Sequence, residues 1–288
     1  MTAFANTAFT GETAWITGAS SGIGAALARA LHQHGANVVL SGRNRAALDA
    51  VAAECGAASG KALVLPFEAT DFATIPEVVE QAWDWAQQRS GGIDMLINNA
   101  GISQRSLAID TDLAVYQAIV NVDLLGPIAL TQAQLGRMAA HAKAGKSGRI
   151  VMISSVAGKV GSPMRTGYSA AKFGLIGYAD ALRAETAHLG LQVHVIAPGS
   201  IRTDVSRNAL TADGSRRGAS DAAIEKGIDP DEAAETMLAA IARGEREIIV
   251  ARGVELQLGE ARRTPEPLMD QMAAFVAAGY ADRMKAEG

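Results

Sequence analysis

Short apolar runs alternate with alanine-rich stretches along most of this 288-residue chain. They predict strands at Ala14–Thr17, Asn37–Ser41, Ala62–Pro66, Met95–Asn98, Arg149–Ser154, Gln192–Ala197 and Glu247–Val250. Between them, helical periodicity covers 23–34, 44–55, 73–89, 112–142, 167–189 and 231–243. Because the strands are apolar throughout rather than on alternate residues, both faces of the sheet must be covered, as in parallel sheets. The pattern predicts an α/β fold with a doubly wound, Rossmann-like, seven-stranded parallel sheet in a single domain.

Two regions depart from this alternation. The polar connection Arg202–Gly227 has no strand or helix pattern, and long connections of this kind are usually functional or disordered. We expect residues 1–251 to form the cofactor-binding and catalytic domain, with 203–229 as a lid over the substrate. Residues 252–288 are predicted to form a C-terminal helical extension that packs on its own domain or on a partner subunit rather than on a membrane. Its apolar residues at helical spacing are Leu268, Met272, Phe275 and Val276.

Composition and charge exclude several classes of function. The formal net charge is -4, and acids and bases are mixed along the chain without a basic stripe, so no nucleic-acid partner is expected. Five scattered histidines and the single Cys55 give neither a metal site nor an internal disulfide. No apolar stretch approaches the length of a membrane span, and Met1–Thr10 lacks the pattern of a signal peptide. The sequence therefore predicts a cytoplasmic protein without a membrane span.

A glycine-rich segment, Thr17–Gly24 (TGASSGIG), joins the first predicted strand to the first helix. Gly18 permits a tight turn, Gly22 lets the backbone approach a pyrophosphate, and Gly24 allows the helix to pack closely on the strand. A plain strand-to-helix turn can show the same glycines, but here the strand and helix of a dinucleotide site flank them. The cofactor-binding residues expected from this segment are Gly18, Ser20, Ser21, Gly22, Ile23 and Gly24.

The residues after the second strand indicate which dinucleotide is bound. An NAD-binding protein places a carboxylate there for the ribose 2′-hydroxyl. This chain instead has Ser41-Gly42, followed by Arg43 and Arg45. A guanidinium can bind a 2′-phosphate through paired, charge-assisted hydrogen bonds. NADP(H) is therefore the predicted cofactor, and the alternative is that these arginines only mark an exposed helix start.

Tyr168-Ser169-Ala170-Ala171-Lys172 lies at the start of a predicted helix, where a spacing of four places the phenol and the ammonium on one face. Carbonyl reduction needs a proton at oxygen as hydride reaches carbon, and a positive Lys172 would favour the phenolate that the reverse reaction needs. Ser155 is the candidate donor that polarises the substrate oxygen. Alone, Tyr-x-x-x-Lys usually indicates a solvated helix face, but with the glycine-rich segment it becomes specific.

These motifs, with Asn98-Asn99-Ala100-Gly101 and Pro198-Gly199, resemble in order and spacing the short-chain dehydrogenase/reductase family over roughly residues 10–250. The resemblance implies a metal-free Rossmann-like domain in which Tyr168 is the catalytic acid/base, Lys172 binds the nicotinamide ribose and Ser155 orients the substrate. It also implies cofactor contacts from Glu68, Ala69, Asn99, Ala100, Gly101, Pro198, Gly199, Ile201 and Thr203.

A finer resemblance, in Asn98–Leu107 and Asn208–Gly218, is to the branch called dehydrogenase/reductase member 7 and its 7B and 7C relatives. This resemblance implies NADP(H)-preferring reduction of lipophilic carbonyls such as steroids, retinoids and quinones. Eukaryotic members of the branch carry an N-terminal membrane anchor, and we expect none here because the first strand begins so early.

Two positions depart from the family pattern. The asparagine usual three residues before Gly126 is Asp123, and Asn121 cannot replace it because the two positions point to different faces of a helix. A carboxylate at 123 can pair with Lys172, raise its pKa and blunt its effect on the tyrosine, so Asp123 joins the candidate catalytic residues. The usual aspartate after the third strand is Glu68, which keeps the acceptor but alters its reach.

The predicted function is NADP(H)-dependent interconversion of a ketone or aldehyde and an alcohol. Two alternatives stay open: a non-catalytic dinucleotide-binding sensor or scaffold, and a lyase or epimerase on the same fold. We expect the substrate pocket to be formed by Ile102–Arg105, Val156–Met164, Ser200 and the 203–227 segment. The polar residues there either bind a polar group of the substrate or form a solvated rim; they are Gln104, Arg105 and Lys159.

A homo-oligomer is expected, because relatives pair through the long helices after the fourth and fifth strands. The residues proposed for that contact are Ala171, Leu175, Ala179 and Leu182. The Gly-Gly ending that is usual after the last strand is Arg252-Gly253 here, which favours a dimer over a tetramer.

Overall fold

Seven strands form one parallel sheet in the computed structural model, which describes residues 8–57 and 60–261 together with Asp270, Ala274, Ala277 and Ala278. The strands are β1 (Thr13–Thr17), β2 (Asn37–Ser41), β3 (Ala62–Val64), β4 (Met95–Asn98), β5 (Arg149–Ile153), β6 (Gln192–Pro198) and β7 (Glu247–Val250). Their order across the sheet is β3-β2-β1-β4-β5-β6-β7. Each strand lies where an apolar run predicted it, so the doubly wound parallel sheet is confirmed.

Helices cover both faces of this sheet. They are α1 (Gly22–Gln33), α2 (Arg45–Glu54), α3 (Ile75–Gln87), α4 (Leu113–Val120), α5 (Gly126–Lys143), α6 (Thr166–Thr186), α7 (Ala222–Glu225), α8 (Pro230–Ala242) and α9 (Gly253–Ala261). One hydrophobic cluster joins α1, α2 and α8 to one face, and a second joins α3, α5 and α6 to the other. This arrangement confirms the predicted Rossmann-like single domain.

The first strand shows why the apolar runs are continuous. Ile16 packs in the cluster beneath α1 and α8, whereas its neighbour Trp15 packs in the cluster beneath α3. Both side chains are fully buried. Successive residues of a strand point to opposite faces, so a sheet covered on both sides needs an apolar residue at every position.

The helix predicted over 112–142 is one helical run, 113–143, but it is not α-helical throughout. A π-helical turn, Asn121–Leu125, joins α4 to α5. By length and composition the run Leu113–Lys143 could cross a membrane, which corrects the expectation that no apolar stretch is long enough. Core helices of soluble proteins meet the same criteria, so this helix does not by itself indicate a membrane protein.

The predicted C-terminal extension begins with α9. The apolar residues that we expected to follow at helical spacing lie outside the described residues; they are Leu268, Met272, Phe275 and Val276. The boundary at residue 251 stays a prediction. The 203–229 segment contains α7 and is tied to the rest of the domain by isolated bridges, including Gln104 with Leu210 and Ile201 with Ile228.

A buried histidine in β6 makes the stability of the fold sensitive to pH. The Nδ1 atom of His194 lies 2.6 Å from the carbonyl oxygen of Glu245, so we assign the proton to Nδ1. Nε2 is buried and has no hydrogen-bond partner among the described residues. Burial, reinforced by the nearby charges of Arg149 and Arg183, lowers the pKa of His194 to about 4. The ring is therefore neutral in the folded protein at neutral pH.

We expect acid to destabilise the protein through His194. The unfolded histidine binds its proton near pH 6.5, whereas the folded one resists protonation down to about pH 4. The unfolded state therefore binds more protons in this window, and stability falls as pH falls. Between pH 7 and pH 5 the free energy of unfolding should drop by about 2 kcal/mol, measured by urea denaturation. His194→Asn, which keeps a donor near Nδ1, should remove most of this drop, whereas His188→Asn at an exposed site should keep it. An unchanged drop in His194→Asn would contradict the assignment.

Candidate active site

A cavity of about 750 Å³ lies at the carboxyl ends of the strands, where ligands bind in doubly wound sheets. Most of the predicted site residues line it: Gly18, Ser20, Ser21, Gly22, Ile23, Arg43, Glu68, Ala69, Asn99, Ala100, Gly101, Asp123, Ser155, Tyr168, Lys172, Pro198, Gly199, Ile201 and Thr203. Two predicted cofactor-binding residues, Gly24 and Arg45, do not line it. The fold thus brings the glycine-rich segment and the tyrosine–lysine pair to one cavity.

The glycine-rich turn has the shape of an anion cradle. Gly18 has a φ of +65°, and a Cβ there would lie 2.9 Å from the Cα of Ala100. Gly24 contributes by packing, because a Cβ at this position would lie 2.2 Å from the carbonyl oxygen of Gly18. The N-cap residue Ser21 makes no side-chain hydrogen bond to the first turn of α1. The first N–H groups of α1 are thus not capped by the Ser21 side chain, and the turn fits a bound pyrophosphate.

Asn99 holds this turn against the end of β4. Its side-chain amide donates to the carbonyl oxygens of Thr17 and Gly18, at 2.9 and 3.3 Å. The Thr17 hydroxyl in turn accepts from the backbone N–H groups of Asn99 and Ala100, both at 3.0 Å. Asn99 lines the cavity as predicted, but its side chain also has a structural task that the sequence did not reveal.

Of the two arginines predicted to select NADP(H), the fold places only one at the cavity. The Arg43 guanidinium is 67% exposed and lies 3.7 Å from the Glu68 carboxylate. Arg45, the first residue of α2, is exposed outside the cavity wall. A phosphate at this end would therefore meet the Arg43 side chain, which lines the cavity beside the Glu68 carboxylate.

Lys172 is held at the other end of the cavity by three neighbours. Its Nζ donates to the carbonyl oxygen of Ile153 at 3.0 Å and lies 3.1 Å from Oδ2 of Asp123. The same nitrogen is 5.6 Å from the centre of the Tyr168 ring. The side chains of Lys172 and Asp123 are 4% and 0% exposed. The predicted pairing of Asp123 with Lys172 is therefore present, as a buried ion pair.

The electrostatics of this pair follow from burial and proximity. Burial raises the pKa of Asp123, and its attraction to Lys172 and its hydrogen bond from the Ile102 N–H, at 2.8 Å, only partly offset that rise. Burial also opposes the charge of Lys172, but attraction to Asp123 and to Tyr168 outweighs it and raises the pKa of this lysine. Lys172 is therefore held in its protonated form beside the tyrosine.

Ser155 connects the ends of β5 and β6. It is the N-cap of a 3₁₀ turn, Val156–Gly158, where its Oγ accepts from the Ala157 N–H at 3.1 Å. The same hydroxyl donates to the carbonyl oxygen of Pro198 at 3.4 Å. Ser155, whose hydroxyl is the one predicted to orient the substrate, thus lines the cavity at the ends of these two strands.

The π-helical turn changes one prediction about the neighbours of the lysine. Asn121 and Asp123 both line the cavity, although an α-helix would turn them to different faces. A π-helical turn is wider than an α-helical one, and such turns are frequent at functional sites. Asn121 is therefore also part of the cavity wall, although Asp123 alone of the two pairs with Lys172.

The predicted substrate-facing polar residues are turned away from the cavity. Gln104 is fully buried and accepts from the Gly167 N–H at 2.8 Å. Lys159 and Glu247 form a buried ion pair, and Arg105 pairs with Asp221. Both alternatives for these residues are therefore wrong, because each side chain is bound to another group of the protein instead of binding substrate or meeting solvent.

The substrate end of the cavity has other walls than the expected ones. Val156–Met164 and Ser200 do not line it, and only Ile102 does so from Ile102–Arg105. The lid supplies Thr203, Asp204, Val205, Asn208, Leu210, Asp213, Gly214, Arg216 and Ile224. The start of the helical run supplies Ala114, Val115 and Ala118, whose helical spacing could have indicated a shared face.

The residues proposed for a subunit contact are buried inside this subunit. Ala171, Leu175 and Ala179 are fully buried, and Leu182 is 4% exposed. Their spacing marks the face of α6 that packs on its own domain, so this face cannot form a contact with a second copy. The prediction of these contact residues is wrong, whereas oligomerisation itself stays a prediction.

Sequence comparisons place the chain in a family. The short chain dehydrogenase profile matches residues 12–214. Dehydrogenase/reductase SDR family member 7B of Danio rerio is 40% identical over 238 residues, which are 82% of this chain and 76% of the relative. A Drosophila melanogaster protein, dehydrogenase/reductase SDR family protein 7-like, is 41% identical over 245 residues, or 84% of this chain and 73% of the relative.

Solved structures give the same result. A short-chain dehydrogenase from Streptomyces avermitilis matches with a TM-score of 0.71 and 26% identity, over 95% of this chain and 99% of its own. A short-chain dehydrogenase from Sphingobium yanoikuyae in complex with NADPH matches with a TM-score of 0.70 and 26% identity, over 83% of this chain and 87% of its own.

The chain belongs to the short-chain dehydrogenase/reductase family of oxidoreductases. Within that family its similarity lies with the dehydrogenase/reductase member 7 branch. Both resemblances stated from the sequence motifs are confirmed.

Proposed function

We propose that this protein is an NADP(H)-dependent oxidoreductase that interconverts a ketone or aldehyde and an alcohol, with Tyr168 as the catalytic acid/base. The observation that carries the proposal is that Tyr168 and Lys172 line the same cavity as the glycine-rich turn. A relative of the same fold, from Sphingobium yanoikuyae, was solved in complex with NADPH, which supports a nicotinamide cofactor.

Different residues would bind the two halves of the cofactor, one half at each end of the cavity. The backbone of Gly18–Gly22 and the first turn of α1 would hold the pyrophosphate, and Arg43 the 2′-phosphate. At the other end, the Lys172 ammonium donates to Ile153 and lies 3.1 Å from the Asp123 carboxylate, and it keeps a hydrogen to donate to a ribose hydroxyl. Bound there, the nicotinamide would supply or accept the hydride.

Tyr168 is the residue that transfers the proton. In reduction its hydroxyl gives a proton to the carbonyl oxygen, and in oxidation its phenolate takes the proton from the alcohol. The positive charge of Lys172, 5.6 Å from the ring centre, stabilises the phenolate that reduction leaves and that oxidation requires. The Ser155 hydroxyl orients the substrate by a hydrogen bond to the same oxygen.

We further propose a lipophilic carbonyl as substrate, because the lid and α4 bring several apolar side chains to the cavity wall. These are Val115, Val205, Leu210 and Ile224. In this proposal the 203–229 segment acts as the lid of one catalytic domain, 1–251, and the protein works in the cytoplasm as a homodimer.

Turnover tests the proposal directly. Loss of NADPH absorbance is followed with a panel of ketones, aldehydes, quinones and steroids, with NADH in parallel. NADPH oxidation that depends on a carbonyl compound, and is much faster than NADH oxidation, is expected. NADH-preferring turnover would contradict the cofactor assignment. Lyase or epimerase activity without net NADPH consumption would contradict the reaction class.

Arg43→Ala should weaken NADPH far more than NADH. Loss of charge-assisted hydrogen bonds to the 2′-phosphate is expected to raise the KM for NADPH roughly 10- to 100-fold, with little change for NADH. Arg45→Ala is the matched control, since it removes the same charge two residues away, outside the cavity wall. Equal effects of the two substitutions would contradict a specific contact by Arg43.

A second candidate is a dinucleotide-binding sensor without catalysis. The observation that favours it is the buried Lys172–Asp123 pair, because the carboxylate offsets the charge by which the lysine would activate Tyr168. Tight NADPH binding with no turnover of any panel compound, in the wild type and in Asp123→Asn alike, would favour this candidate.

A further inference from the structure

The helix α9 lies beyond the residues matched by the family profile, yet it places a carboxylate beside the cavity. Glu255 accepts two hydrogen bonds from Ser200, 55 positions earlier in the chain. Its Oε2 accepts from the backbone N–H at 2.7 Å, and its Oε1 accepts from the hydroxyl at 2.9 Å. This bidentate contact fixes both the main chain and the side chain of Ser200.

The preceding residue has to be glycine for this contact to form. A Cβ at position 199 would lie 2.5 Å from Oε2 of Glu255 and 2.8 Å from the Cβ of Ala251. Real Cβ atoms essentially never approach other atoms that closely, so any side chain at 199 would displace the carboxylate. Because Gly199 has no side chain, the Glu255 carboxylate can contact the loop after β6.

The loop that Glu255 holds forms part of the cavity wall. Pro198, Gly199 and Ile201 line the cavity, and the carbonyl oxygen of Pro198 accepts from the hydroxyl of Ser155. The loop is thus held by two side chains, Ser155 on the β5 side and Glu255 from α9, in addition to main-chain hydrogen bonds from the Gly199 N–H to Val250 and from the Ile228 N–H to Ser200. Side chains from two separate elements thus bind one short loop, which indicates that its position matters for what it contacts.

The reacting end of a dinucleotide must lie against this loop. Hydride and proton are delivered to adjacent atoms of one substrate, so the hydride donor has to sit beside Tyr168. Lys172 donates to Ile153 at the end of β5 and Ser155 donates to Pro198 at the end of the adjacent β6. Arg43 follows β2, which β1 and β4 separate from β5, so it lines the opposite end of the cavity. The β6 loop therefore faces the nicotinamide half of the cofactor and not the adenosine half.

We infer that Glu255 is a positioning residue for the nicotinamide half of the cofactor, acting through Ser200 on the loop Pro198–Ile201. The inference rests on the proposed function, since it requires a nicotinamide dinucleotide in this cavity. It also makes α9, which the sequence treated as the start of an appended tail, a part of the active site.

The test compares two ligands that share only the adenosine half. NADPH carries the nicotinamide, whereas 2′,5′-ADP carries the adenosine and the 2′-phosphate without it. Glu255→Ala is expected to weaken NADPH binding about tenfold and to slow hydride transfer, because the loop loses both hydrogen bonds that α9 supplies. Binding of 2′,5′-ADP is expected to stay unchanged, since its contacts lie at the other end of the cavity.

Three further variants separate positioning from a general effect on folding. Glu255→Gln should restore NADPH binding, because its amide oxygen can accept from the Ser200 N–H while its nitrogen donates to the hydroxyl. Ser200→Ala removes one of the two bonds and should show the same nicotinamide-specific loss, but smaller. Gln257→Ala, at an exposed position of the same helix, should bind both ligands as the wild type does.

The results either support or overturn the positioning role of Glu255. A loss confined to NADPH and rescued by glutamine supports the inference. Unchanged NADPH binding in Glu255→Ala, or an equal loss for NADPH and 2′,5′-ADP, overturns it. If Glu255→Ala does not fold, Ser200→Ala decides in the same way. A wild-type protein that binds neither ligand refutes the proposed function itself, which distinguishes that failure from failure of the positioning role.

Discussion

Tyr168→Phe is expected to lower kcat by about 10²- to 10⁴-fold while leaving the Kd for NADPH unchanged. The substitution removes only the hydroxyl that delivers and accepts the proton. The ring stays in place beside Lys172, so the shape of the cavity is preserved. Steady-state turnover with the best carbonyl of the panel, together with NADPH fluorescence titration, separates chemistry from binding.

Tyr178→Phe is the matched control for this prediction. Tyr178 lies on the same helix, α6, but packs against the hydrophobic cluster of α3 and α5 and does not line the cavity. Its loss of a hydroxyl should leave kcat close to the wild-type value. Turnover that survives in Tyr168→Phe would mean that another group moves the proton, and the mechanism proposed here would be wrong.

The elements of the fold were predictable because their signals are local. Each strand needs apolar residues on both faces, so a run such as the one in β1 marks both the strand and its burial. The glycine-rich turn and the Tyr168–Lys172 spacing are also local, and each fixes its own geometry within a single turn of chain. These segments therefore reached the cavity as the sequence indicated.

Features that depend on distant partners could not be predicted in the same way. Gln104, Arg105 and Lys159 are polar residues near a predicted pocket, but each side chain is itself buried and pairs with a group from a remote segment. Burying a polar group without a partner is costly, so such pairs form wherever the fold allows, and composition does not reveal where. Glu255 was missed for the same reason, because its partner Ser200 is 55 residues away.

The helix after β4 shows a third feature that could not be predicted from the sequence. Its apolar period predicted one continuous α-helix, and the chain does continue to Lys143, but Asn121–Leu125 takes the wider π form. No residue type marks this change. The change is seen only in the structure, where the π-helical turn carries Asp123, whose carboxylate lies 3.1 Å from Lys172.

Removing the Asp123 carboxylate is expected to produce the largest loss of stability. Lys172 stays buried when its partner is gone, and breaking a buried ion pair from one side typically costs about 3–5 kcal/mol. Asp123→Ala should lower the free energy of unfolding by about this amount, measured by urea denaturation at neutral pH. Asp123→Asn should cost less, because its amide oxygen can still accept from the Ile102 N–H.

Asp204→Asn is the control for the unfolding measurement and for the pH profile described next. Asp204 also lines the cavity, but its side chain is 72% exposed and its contact with Arg207, at 3.6 Å, lies in solvent. An exposed pair of this kind contributes little, so the free energy of unfolding should stay within about 1 kcal/mol of the wild type. An Asp123→Ala protein as stable as Asp204→Asn would contradict a buried ion pair.

The pH profile of Asp123→Asn then tests what the carboxylate does to catalysis. Attraction to Asp123 helps to raise the pKa of Lys172, so the neutral amide should lower that pKa and move the alkaline limit of activity to lower pH. The alkaline limb of the kcat profile for alcohol oxidation is therefore expected to move in the acid direction. A profile that does not move, while Asp204→Asn also leaves it unchanged, would show that the carboxylate stabilises the fold without tuning the acid/base pair.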